Sequence, residues 1–360
     1  MQSRPGRVTL TEVAQQAGVS KATVSKVLNR RPDVADSTRA HVQTVLESLG
    51  YEPTHRGRPE ARPTVSVLFK DFATLYSSEV LAGVVGAAQE HGISVVASSL
   101  ESEGPPNALT PAWFGELADL GHIGLITVTT TLSGGEVAAC RRAGLPLVVI
   151  DPVEVGLQAD ESVLSVSATN WSGGMQATEH LLQLGHRRIG LVGGLPASRP
   201  AEHRLHGYFA AMQRAGLEPE PELIELAGFA YEDGRDAAGR MLDLPEPPTA
   251  IVAGCDISAL GVMEASRLRG LRLPDDLSIV GFDDSLAASW SSPQLTTVRQ
   301  PVREMGRAAL RELLASVRGL APETHHLELS TALVVRDSTA RPRGSAERGR
   351  AEGTRQRVAD

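Results

Sequence analysis

From residue 64 onward, short β-rich runs alternate with helical stretches, and this alternation limits the possible folds more than any other feature. A first series contains TVSVLF (64–69), ISVVASS (93–99), GLITVTT (124–130) and PLVVID (146–151). A second series contains RIGLVGG (188–194), LIELAGF (223–229), TAIVAGCD (249–256) and LSIVGFDD (277–284). Apolar runs of this length are typical of buried parallel strands.

The stretches between these runs predict the connecting helices. They lie near 77–91, 111–120 and 133–142 in the first series, and near 171–184, 202–215, 232–243 and 257–269 in the second. Two consecutive βαβ series predict two doubly wound α/β lobes. Ligands of such sheets bind beyond the carboxyl ends of the strands, so two facing lobes predict a ligand-binding cleft.

The charge of the chain is divided unevenly between its two ends. The 360 residues carry a formal net charge of −8. Residues 1–62 hold ten Lys and Arg against six Asp and Glu, a net charge of +4, so the remainder carries −12. This division predicts a small basic module attached to an acidic body, and a basic module suits contact with a polyanion.

Several classes of protein are excluded by what the sequence lacks. No apolar run reaches the roughly 18 residues of a transmembrane helix, and the N-terminus lacks the apolar core of a secretory signal. Cys140 and Cys255 stand among apolar or small residues, which is typical of reduced, buried thiols. No metal-ligand spacing accompanies them. We therefore expect a cytoplasmic protein with no metal and no cofactor.

The basic module begins with signs of short helices. Thr9 and Glu12 fit a capping box, which predicts a helix with Leu10 and Val13 on its inner face. Gly18 allows a sharp turn, and Ser20 caps a second helix over about 21–29. Asp36 is expected to cap a third helix that ends near residue 48. Two helices joined by a tight glycine turn predict a helix-turn-helix whose second helix enters the DNA major groove.

The exposed side of that second helix has the residue types that contact DNA. Hydroxyls and helix-start amides bind phosphates, lysines reach guanine acceptors, and Ala22 can touch a thymine methyl group. The candidate DNA-contacting residues are Thr9, Ser20, Lys21, Ala22, Thr23, Ser25, Lys26 and Asn29. The alternative is a small helical bundle with a solvated basic face.

The stretch VTLTEVAQQAGVSKATVSKVLNRRPDVADSTRAHVQTVLESLGYEP (8–53) resembles the N-terminal domain of the LacI/GalR family of transcription regulators. The resemblance implies base reading by Lys21, Ala22 and Lys26. Many members carry arginine where this chain has Lys26, and lysine lacks the planar two-pronged fork of arginine.

Five stretches of the body resemble the effector domain of the same family, which is similar to periplasmic sugar-binding proteins. They are TNWSGGMQATEHLLQLGHRRIGLVGG, RLHGYFAAM, DISALGVMEA, PDDLSIVGFDD and SPQLTTVRQP. The resemblance implies a head at 1–53, a hinge at 54–63 and a two-lobed effector and dimerisation domain at 64–338. Lobe 1 is expected to hold about 64–163 and 295–320, and lobe 2 about 164–294 and 321–338. Residues 339–360 lack periodicity and are predicted to be disordered.

The resemblance also implies a set of effector-binding residues. Arg204 and Asp283 would clamp vicinal hydroxyls of a ligand, one donating and the other accepting hydrogen bonds. The remaining candidates are the aromatic residues Tyr76, Trp171 and Phe229 and the polar residues Asp151, Asn170, Cys255 and Asp256. Cys255 stands where many members have asparagine. These residue types favour a mono- or oligosaccharide, with a nucleobase as the alternative.

Three of these assignments have simpler alternatives. Asn170 could cap the first helix of lobe 2, and Trp171 could pack between the lobes instead of stacking on a sugar. Arg204 and Asp283 could form an ordinary ion pair between the lobes.

The segment THRGRPEARPT (54–64) departs from the family pattern. In many members this segment forms a helix on DNA and places a leucine in the minor groove. Here the leucine position falls on Glu60, and Pro59 disfavours a helix interior. We expect no such insertion and a less bent operator. Three arginines would contact phosphates or a narrow minor groove instead: Arg56, Arg58 and Arg62.

Together these features predict a homodimeric DNA-binding repressor whose affinity for a near-palindromic operator is set by a small effector. A sugar-binding module with a vestigial head is a second hypothesis. An enzyme is a third, but the sequence has no nucleophile elbow, phosphate-binding loop or metal cluster, so we expect no catalytic activity.

Overall fold

The computed structural model describes residues 8–28, 34–49, 51, 62–72, 74–100, 108–153 and 163–343. The chain divides into two compact units, Met1–Arg62 and Pro63–Asp360. The described helices of the first unit are α1 (Leu10–Gln16), α2 (Lys21–Leu28) and α3 (Asp36–Ser48). Their apolar faces share one core, whose buried members include Val13, Val24, Val42, Val45 and Leu46.

The ends of these helices follow the sequence in two places and differ from it in a third. The capping box of Thr9 and Glu12 is present, and Gly18 turns the chain with φ +63°. Ser20 Oγ accepts the amide hydrogen of Thr23 at 3.0 Å, as expected of an N-cap. The expectation that Asp36 caps α3 is wrong. Asp36 is the first helical residue, and the N-cap is Ala35, which has no side-chain acceptor.

The second unit is built from alternating strands and helices. Its strands are β1 (Thr64–Phe69), β2 (Ser94–Ser99), β3 (His122–Val128), β4 (Leu147–Ile150), β5 (Leu164–Ala168), β6 (Ile189–Gly193), β7 (Ile224–Leu226), β8 (Ala250–Ala253), β9 (Ser278–Asp283), β10 (Thr296–Arg299), β11 (His326–Leu329) and β12 (Ala332–Val334). Its helices are α4 (Leu75–Glu90), α5 (Pro111–Asp119), α6 (Gly134–Arg142), α7 (Asn170–Leu184), α8 (Arg199–Arg214), α9 (Tyr231–Leu242), α10 (Asp256–Leu268), α11 (Leu286–Trp290) and α12 (Val302–Val317).

These strands form two six-stranded sheets, one in each lobe. Lobe 1 has the order β11-β5-β4-β3-β1-β2, and lobe 2 has the order β12-β10-β9-β8-β6-β7. The strand pairs of lobe 1 are parallel. In lobe 2 the pair of β10 and β12 is antiparallel, and the others are parallel. The predicted fold class, two doubly wound α/β lobes after a helical head, is therefore confirmed.

The chain passes between the lobes three times, at points that differ from the predicted boundaries. Residues 164–168 were expected in lobe 2, but β5 pairs with β4 and so belongs to lobe 1. Residues 295–320 were expected in lobe 1, but β10 pairs with β9 of lobe 2, and only α12 returns to pack in the lobe 1 core. Residues 321–338 were expected in lobe 2, but only β12 pairs there, with β10, whereas β11 pairs with β5 of lobe 1. We assign each strand to the lobe whose sheet it pairs with, and this pairing sets the boundaries between the lobes.

The C-terminal segment is ordered further than expected. Residues 339–343 were predicted to be disordered, but the amide of Ala340 donates to Ser278 Oγ at 3.0 Å. The buried ring of His186 donates from Nε2 to the carbonyl oxygen of Ala340 at 2.9 Å. These hydrogen bonds hold the segment on lobe 2. Residues 344–360 lie outside the described part of the chain.

Candidate functional site

The exposed face of α2 is the candidate surface of the first unit. Val24 and Val27 are buried, whereas Lys21, Ala22 and Lys26 are exposed on the same helix. This division follows from the helical period, which turns residues three and four apart to the same side. The predicted base-reading residues therefore lie together on the accessible side of α2.

The hydroxyl groups of the first unit are partly engaged in caps. Thr9 accepts the amide hydrogen of Glu12, and the Thr9 amide donates to Glu12 Oε2 at 2.6 Å. These bonds lower the pKa of the Glu12 carboxyl. The hydroxyls of Ser20 and Thr23 are hydrogen-bonded to each other at 2.8 Å. Arg62 is exposed, whereas the candidates Asn29, Arg56 and Arg58 lie outside the described residues.

In lobe 1, one hydrogen bond joins two of the predicted effector-binding residues. Tyr76 lies in the first turn of α4, and Asp151 follows the carboxyl end of β4 with φ +47°. The Tyr76 hydroxyl donates to Asp151 Oδ2 at 2.5 Å. Burial raises the pKa of the Asp151 carboxyl, which the hydrogen bond from Tyr76 and the charge of Arg204 oppose. Burial, followed by the charge of Asp151, raises the pKa of Tyr76 well above its ordinary value.

In lobe 2, Arg204 is buried and held from three sides. Its Nε donates to Asn170 Oδ1 at 2.8 Å, and its Nη1 donates to the carbonyl oxygen of Gly254 at 2.5 Å. The guanidinium carbon lies 3.8 Å from the ring centroid of Phe282. Within the described residues, its Nη2 amino group donates to no acceptor. Arg204 is therefore fixed in place with donors left over.

Asn170 positions Arg204 and does not cap α7. The N-cap of α7 is Thr169, and Asn170 is the first helical residue. Its Nδ2 donates to the carbonyl oxygen of Ala168 at 3.0 Å, which turns Oδ1 toward Arg204. The alternative that Asn170 serves as a helix cap is therefore wrong.

Two glycines let α7 and α8 pack closely enough to hold Arg204 at this place. A Cβ atom on Gly174 would lie 2.3 Å from the carbonyl oxygen of Arg204. A Cβ atom on Gly207 would lie 2.2 Å from the carbonyl oxygen of Trp171. No real side chain fits at such distances, so the contact between the two helices requires glycine at both positions.

Two carboxyl groups of lobe 2 differ in how they are satisfied. Asp283 ends β9 with φ +119° and accepts a hydrogen bond from Gln300 Nε2 at 2.6 Å. Asp256 begins α10, and both of its oxygens already accept hydrogen bonds, from Thr297 and from the amide and hydroxyl of Ser285. Burial raises the pKa of Asp283 to about 6. Burial, followed by the charge of Asp283, raises the pKa of Asp256 to about 7.

The remaining candidates line lobe 2 in different ways. Cys255 is the N-cap of α10, and its thiol donates to the carbonyl oxygen of Phe229 at 3.2 Å. Burial raises the pKa of this thiol to about 12, so it stays protonated. The ring of Phe229 packs against Gly194, where a Cβ atom would lie 2.1 Å from it. Trp171 is 44% exposed at the start of α7.

The structure also excludes the alternative that Arg204 and Asp283 form an ordinary ion pair between the lobes. Both residues belong to lobe 2, on α8 and β9, so they cannot pair across the lobes. In the described part of the chain no ion pair joins them. Gln300, which contacts Asp283, was not predicted, because its role depends on a contact with a residue 17 positions away.

Two further findings concern the whole described chain. None of its helices combines the length and the apolar character needed to cross a membrane. Nowhere in the described ranges do three His, Cys, Asp or Glu residues come together in a group that could hold a metal ion.

The chain has a three-helix head with a cationic exposed helix, followed by two α/β lobes around polar groups. This combination defines a helix-turn-helix regulator with a binding-protein-like domain. Residues 9–54 match the family model of the bacterial regulatory proteins of the lacI family, and residues 178–339 match the periplasmic binding protein-like domain. The HTH-type transcriptional regulator DegA of Bacillus subtilis is 32% identical over 340 residues, covering 93% of this chain and 98% of DegA. The chain therefore belongs to the lacI family and is a transcriptional regulator.

Two solved structures show the same fold. The transcriptional regulator CelR in complex with cellobiose has a TM-score of 0.69 at 32% identity, covering 92% of this chain and all of CelR. The lac repressor dimer bound to operator and the anti-inducer ONPF has a TM-score of 0.71 at 29% identity, covering 93% of this chain and 100% of the repressor chain.

Proposed function

We propose that this regulator is a homodimeric repressor whose operator affinity is controlled by a mono- or oligosaccharide bound between its two lobes. The observation that carries the proposal is the gathering of Tyr76 and Asp151 from lobe 1 with Arg204 and Asp283 from lobe 2, where each group alters the pKa of another. The two solved relatives, one in complex with cellobiose and one bound to operator, support both halves of the proposal.

The DNA-binding half rests on α2. Its exposed lysines, Lys21 and Lys26, would reach guanine acceptors in the major groove, and Ala22 would contact a thymine methyl group. The amides at the start of the helix would bind a phosphate. Two heads in a dimer would read two half-sites of a near-palindromic operator.

The effector-binding half rests on a mixture of donors and acceptors. The Nη2 amino group of Arg204, which has no acceptor among the described residues, suits a hydroxyl oxygen of the ligand. The carboxyl groups of Asp151 and Asp283 suit hydroxyl hydrogens. The rings of Phe229 and Tyr76 provide apolar faces for the sugar ring. A ligand that binds both lobes favours one arrangement of the lobes. Its coupling to DNA binding is the difference in ligand affinity between the two arrangements, typically about 1–3 kcal/mol.

A further proposal concerns the hinge, whose residues Pro59 and Glu60 lie outside the described part of the chain. Pro59 and Glu60 disfavour a helix that inserts a leucine, so we propose that the operator is bent less than by relatives that make this insertion. Gel mobility of circularly permuted operator fragments measures the bend. A strongly bent operator would contradict this proposal.

The first test is selection of random duplexes by the purified protein, followed by sequencing. We expect enrichment of a near-palindrome. Lys21→Gln should weaken binding to the enriched sequence by about 1–3 kcal/mol. Lys70→Gln removes the same charge from an exposed position in the second unit and should leave binding unchanged. Equal effects of both variants, or no enriched sequence, would contradict the DNA-reading role of α2.

The second test is release or strengthening of operator binding by a panel of sugars. Arg204→Lys keeps the charge but loses the fork, and should weaken the response by about tenfold or more. Arg214→Lys is the control, because Arg214 is on the same helix, is exposed and pairs with Glu179. The same panel tests turnover of glycosides, and we expect none.

A further inference from the structure

We infer that Arg336 is a positioning residue of lobe 2: it holds the turn at Asp283 and Asp284, and this turn orients the Asp283 carboxyl group. The effect on a ligand rests on the proposed effector cleft, whereas the effect on the turn rests on the geometry of lobe 2 alone. Arg336 is not among the predicted effector-binding residues, and it acts through Asp284.

The turn at the end of β9 has an unusual backbone. Asp283 has φ +119° and Asp284 has φ +57°. Among the described residues, these are the only two consecutive non-glycine residues with positive φ. Aspartate tolerates the left-handed helical region near +57°, but +119° is normally adopted by glycine. Such a backbone costs folding free energy, so the turn persists only where neighbouring groups hold it.

Two arginines hold this turn through the side chain of Asp284. Arg336 Nη2 donates to Asp284 Oδ1, and Arg299 Nε donates to Asp284 Oδ2 at 2.6 Å. Arg336 is itself anchored, since its Nη1 donates to the carbonyl oxygen of Leu295 at 2.8 Å. The backbone amide of Asp284 donates to Thr297 Oγ1 at 3.4 Å. Asp284 is therefore a fixed point of the turn, with both carboxylate oxygens bonded to arginine.

The two arginines differ in how strongly they support Asp284. The side chain of Arg336 is 17% exposed and that of Asp284 is 9% exposed, so their ion pair is largely shielded from water. The side chain of Arg299 is 58% exposed. Exposed ion pairs contribute little, whereas removal of one partner from a buried pair leaves an uncompensated charge. Arg336 is therefore the main support of Asp284, and Arg299 is a secondary one.

The direction of the Asp283 side chain depends on this support. Side chains of an extended strand alternate in direction, and a positive φ departs from the backbone that sets this alternation. In the turn as it stands, Asp283 Oδ1 accepts a hydrogen bond from Gln300 Nε2 at 2.6 Å. Without Arg336, the Asp284 carboxylate would be a poorly compensated negative charge beside Asp283. The turn would then relax, and the Asp283 carboxyl group would lose its orientation.

The two arginines also connect the turn to the passages of the chain between the lobes. Arg299 is the last residue of β10, just before the chain leaves lobe 2 for α12. Arg336 follows β12, which the chain reaches on its return from β11 of lobe 1. Asp284 is thus bonded to segments next to two different passages. A rearrangement of the lobes that moves either segment would act on the turn and on the Asp283 carboxyl group.

The first measurement is backbone hydrogen exchange in the free protein, at the amides of Asp284 and Ser285. The Ser285 amide donates to Asp256 Oδ2 at 2.7 Å, so its exchange reports on the same turn. Arg336→Gln should raise the exchange rates of both amides at least about tenfold, because the turn opens more often.

Arg269→Gln is the matched control for this measurement. Arg269 donates from Nε and Nη2 to the two carboxylate oxygens of Asp243, at 2.8 and 2.5 Å. This pair joins the ends of α9 and α10. The variant therefore loses an arginine–aspartate pair from the same lobe, but it should leave the exchange rates of the turn unchanged.

The second measurement is the affinity of each variant for cellobiose, maltose, glucose and galactose by calorimetry. For a sugar that binds the wild-type protein, Arg336→Gln should weaken binding by about tenfold or more, and Arg299→Gln by about threefold or less. Arg269→Gln should leave the affinity unchanged. Arg336→Lys keeps a cation beside Asp284 but lacks the fork of arginine, so both of its effects should be smaller, at about threefold. These smaller effects are the test if Arg336→Gln folds poorly.

A double variant shows whether Arg336 acts through Asp284. Asp284→Asn alone should also weaken sugar binding by about tenfold. The combination of Arg336→Gln and Asp284→Asn should then bind about as weakly as either single variant, because both changes remove the same interaction. A loss of about a hundredfold in the double variant would show that the two residues act independently.

The outcomes separate this inference from the proposed function. Unchanged exchange of the turn in Arg336→Gln, an equal loss of sugar affinity in Arg336→Gln and Arg269→Gln, or independent effects in the double variant would overturn the inference and leave the sugar cleft standing. If no sugar of the panel binds while operator binding is intact, the proposed sugar cleft is wrong. The exchange rates then decide the inference alone: faster exchange in Arg336→Gln supports it, and unchanged exchange overturns it.

Discussion

The hydroxyl of Tyr76 and the carboxylate of Asp151 are 75 residues apart in sequence and joined by a 2.5 Å hydrogen bond in lobe 1. The bond ties the first turn of α4 to the end of β4. It also leaves Asp151 Oδ1 without a donor in the described structure. The pair is therefore both a structural contact and a preformed acceptor.

Tyr76→Phe should lower the free energy of unfolding by about 1–3 kcal/mol, because it leaves a second oxygen of Asp151 buried without a donor. Urea denaturation measures the change. Tyr208→Phe is the control, since the buried Tyr208 hydroxyl donates to the carbonyl oxygen of Ile189 at 2.8 Å, away from the cleft residues. Both variants should lose stability, but only Tyr76→Phe should also weaken effector binding. Equal effects on binding would contradict the proposed place of Tyr76 in the cleft.

The buried carboxyl groups of lobe 2 predict a dependence of stability on pH. The pKa of Asp256 rises from 3.8 to about 7 on folding, and that of Asp283 rises from 3.8 to about 6. A carboxyl with a raised pKa favours the folded state when protonated, so its contribution is complete below about pH 4. That contribution is lost as the pH rises toward 7.

Denaturation curves between pH 5 and pH 7.5 test this dependence. The free energy of unfolding should fall by on the order of 1 kcal/mol or more across the range. Asp256→Asn replaces one of the two accepting oxygens with an NH2 group, so either Ser285 or Thr297 loses its acceptor and the variant should be less stable near pH 5. Its stability should change less with pH. A variant with the wild-type slope would show that Asp256 is not the titrating group.

Gly18→Ala should destabilise the head, because φ +63° lies in the left-handed region that an L side chain disfavours by about 1–2 kcal/mol. Gly115→Ala is the control. Both positions have open space for a Cβ atom, but Gly115 lies inside α5 without a positive φ. Calorimetry that follows the thermal transition of the head should show a shift for Gly18→Ala alone, accompanied by weaker operator binding.

Gly174→Ala should disturb the packing that places Arg204, since its Cβ atom would lie 2.3 Å from a carbonyl oxygen. We expect a loss of about 1–3 kcal/mol in the free energy of unfolding, together with weaker effector binding. Gly86→Ala puts a Cβ atom in α4 at an ordinary 3.5 Å from Arg307 Nη1. It should be neutral or slightly stabilising, by up to about 1 kcal/mol.

The first strands of each lobe could be predicted because their apolar runs are continuous. Strand β5 was missed because LSVSA alternates polar and apolar residues, with burial that alternates in the same way. Strands β10, β11 and β12 are short, at three or four residues each, and gain their place from partners distant in sequence. Local patterns cannot reveal such pairing.

Part of the candidate cleft could be predicted from local stretches of the sequence. Arg204, Asp151 and Tyr76 stand in recognisable stretches, and the structure brings them into electrostatic contact. Those stretches do not show which of the polar residues have their hydrogen bonds satisfied within the protein. Among the described residues, Asp256 has hydrogen-bond partners for both oxygens, whereas Gln300 Oε1 has none. Only the folded arrangement distinguishes these two residues.

The three passages of the chain between the lobes determine when each lobe can fold during synthesis on the ribosome. Lobe 1 needs α12 to cover its sheet and β11 to complete it, so its fold cannot close before residue 329 has been synthesised. Until then, the apolar face that α12 will cover, which includes Val67, Val84 and Ile150, lacks its late partner. A nascent chain of this kind exposes hydrophobic surface for most of its synthesis, a state prone to aggregation. The two lobes therefore complete their sheets at nearly the same point of synthesis, lobe 1 with β11 (His326–Leu329) and lobe 2 with β12 (Ala332–Val334).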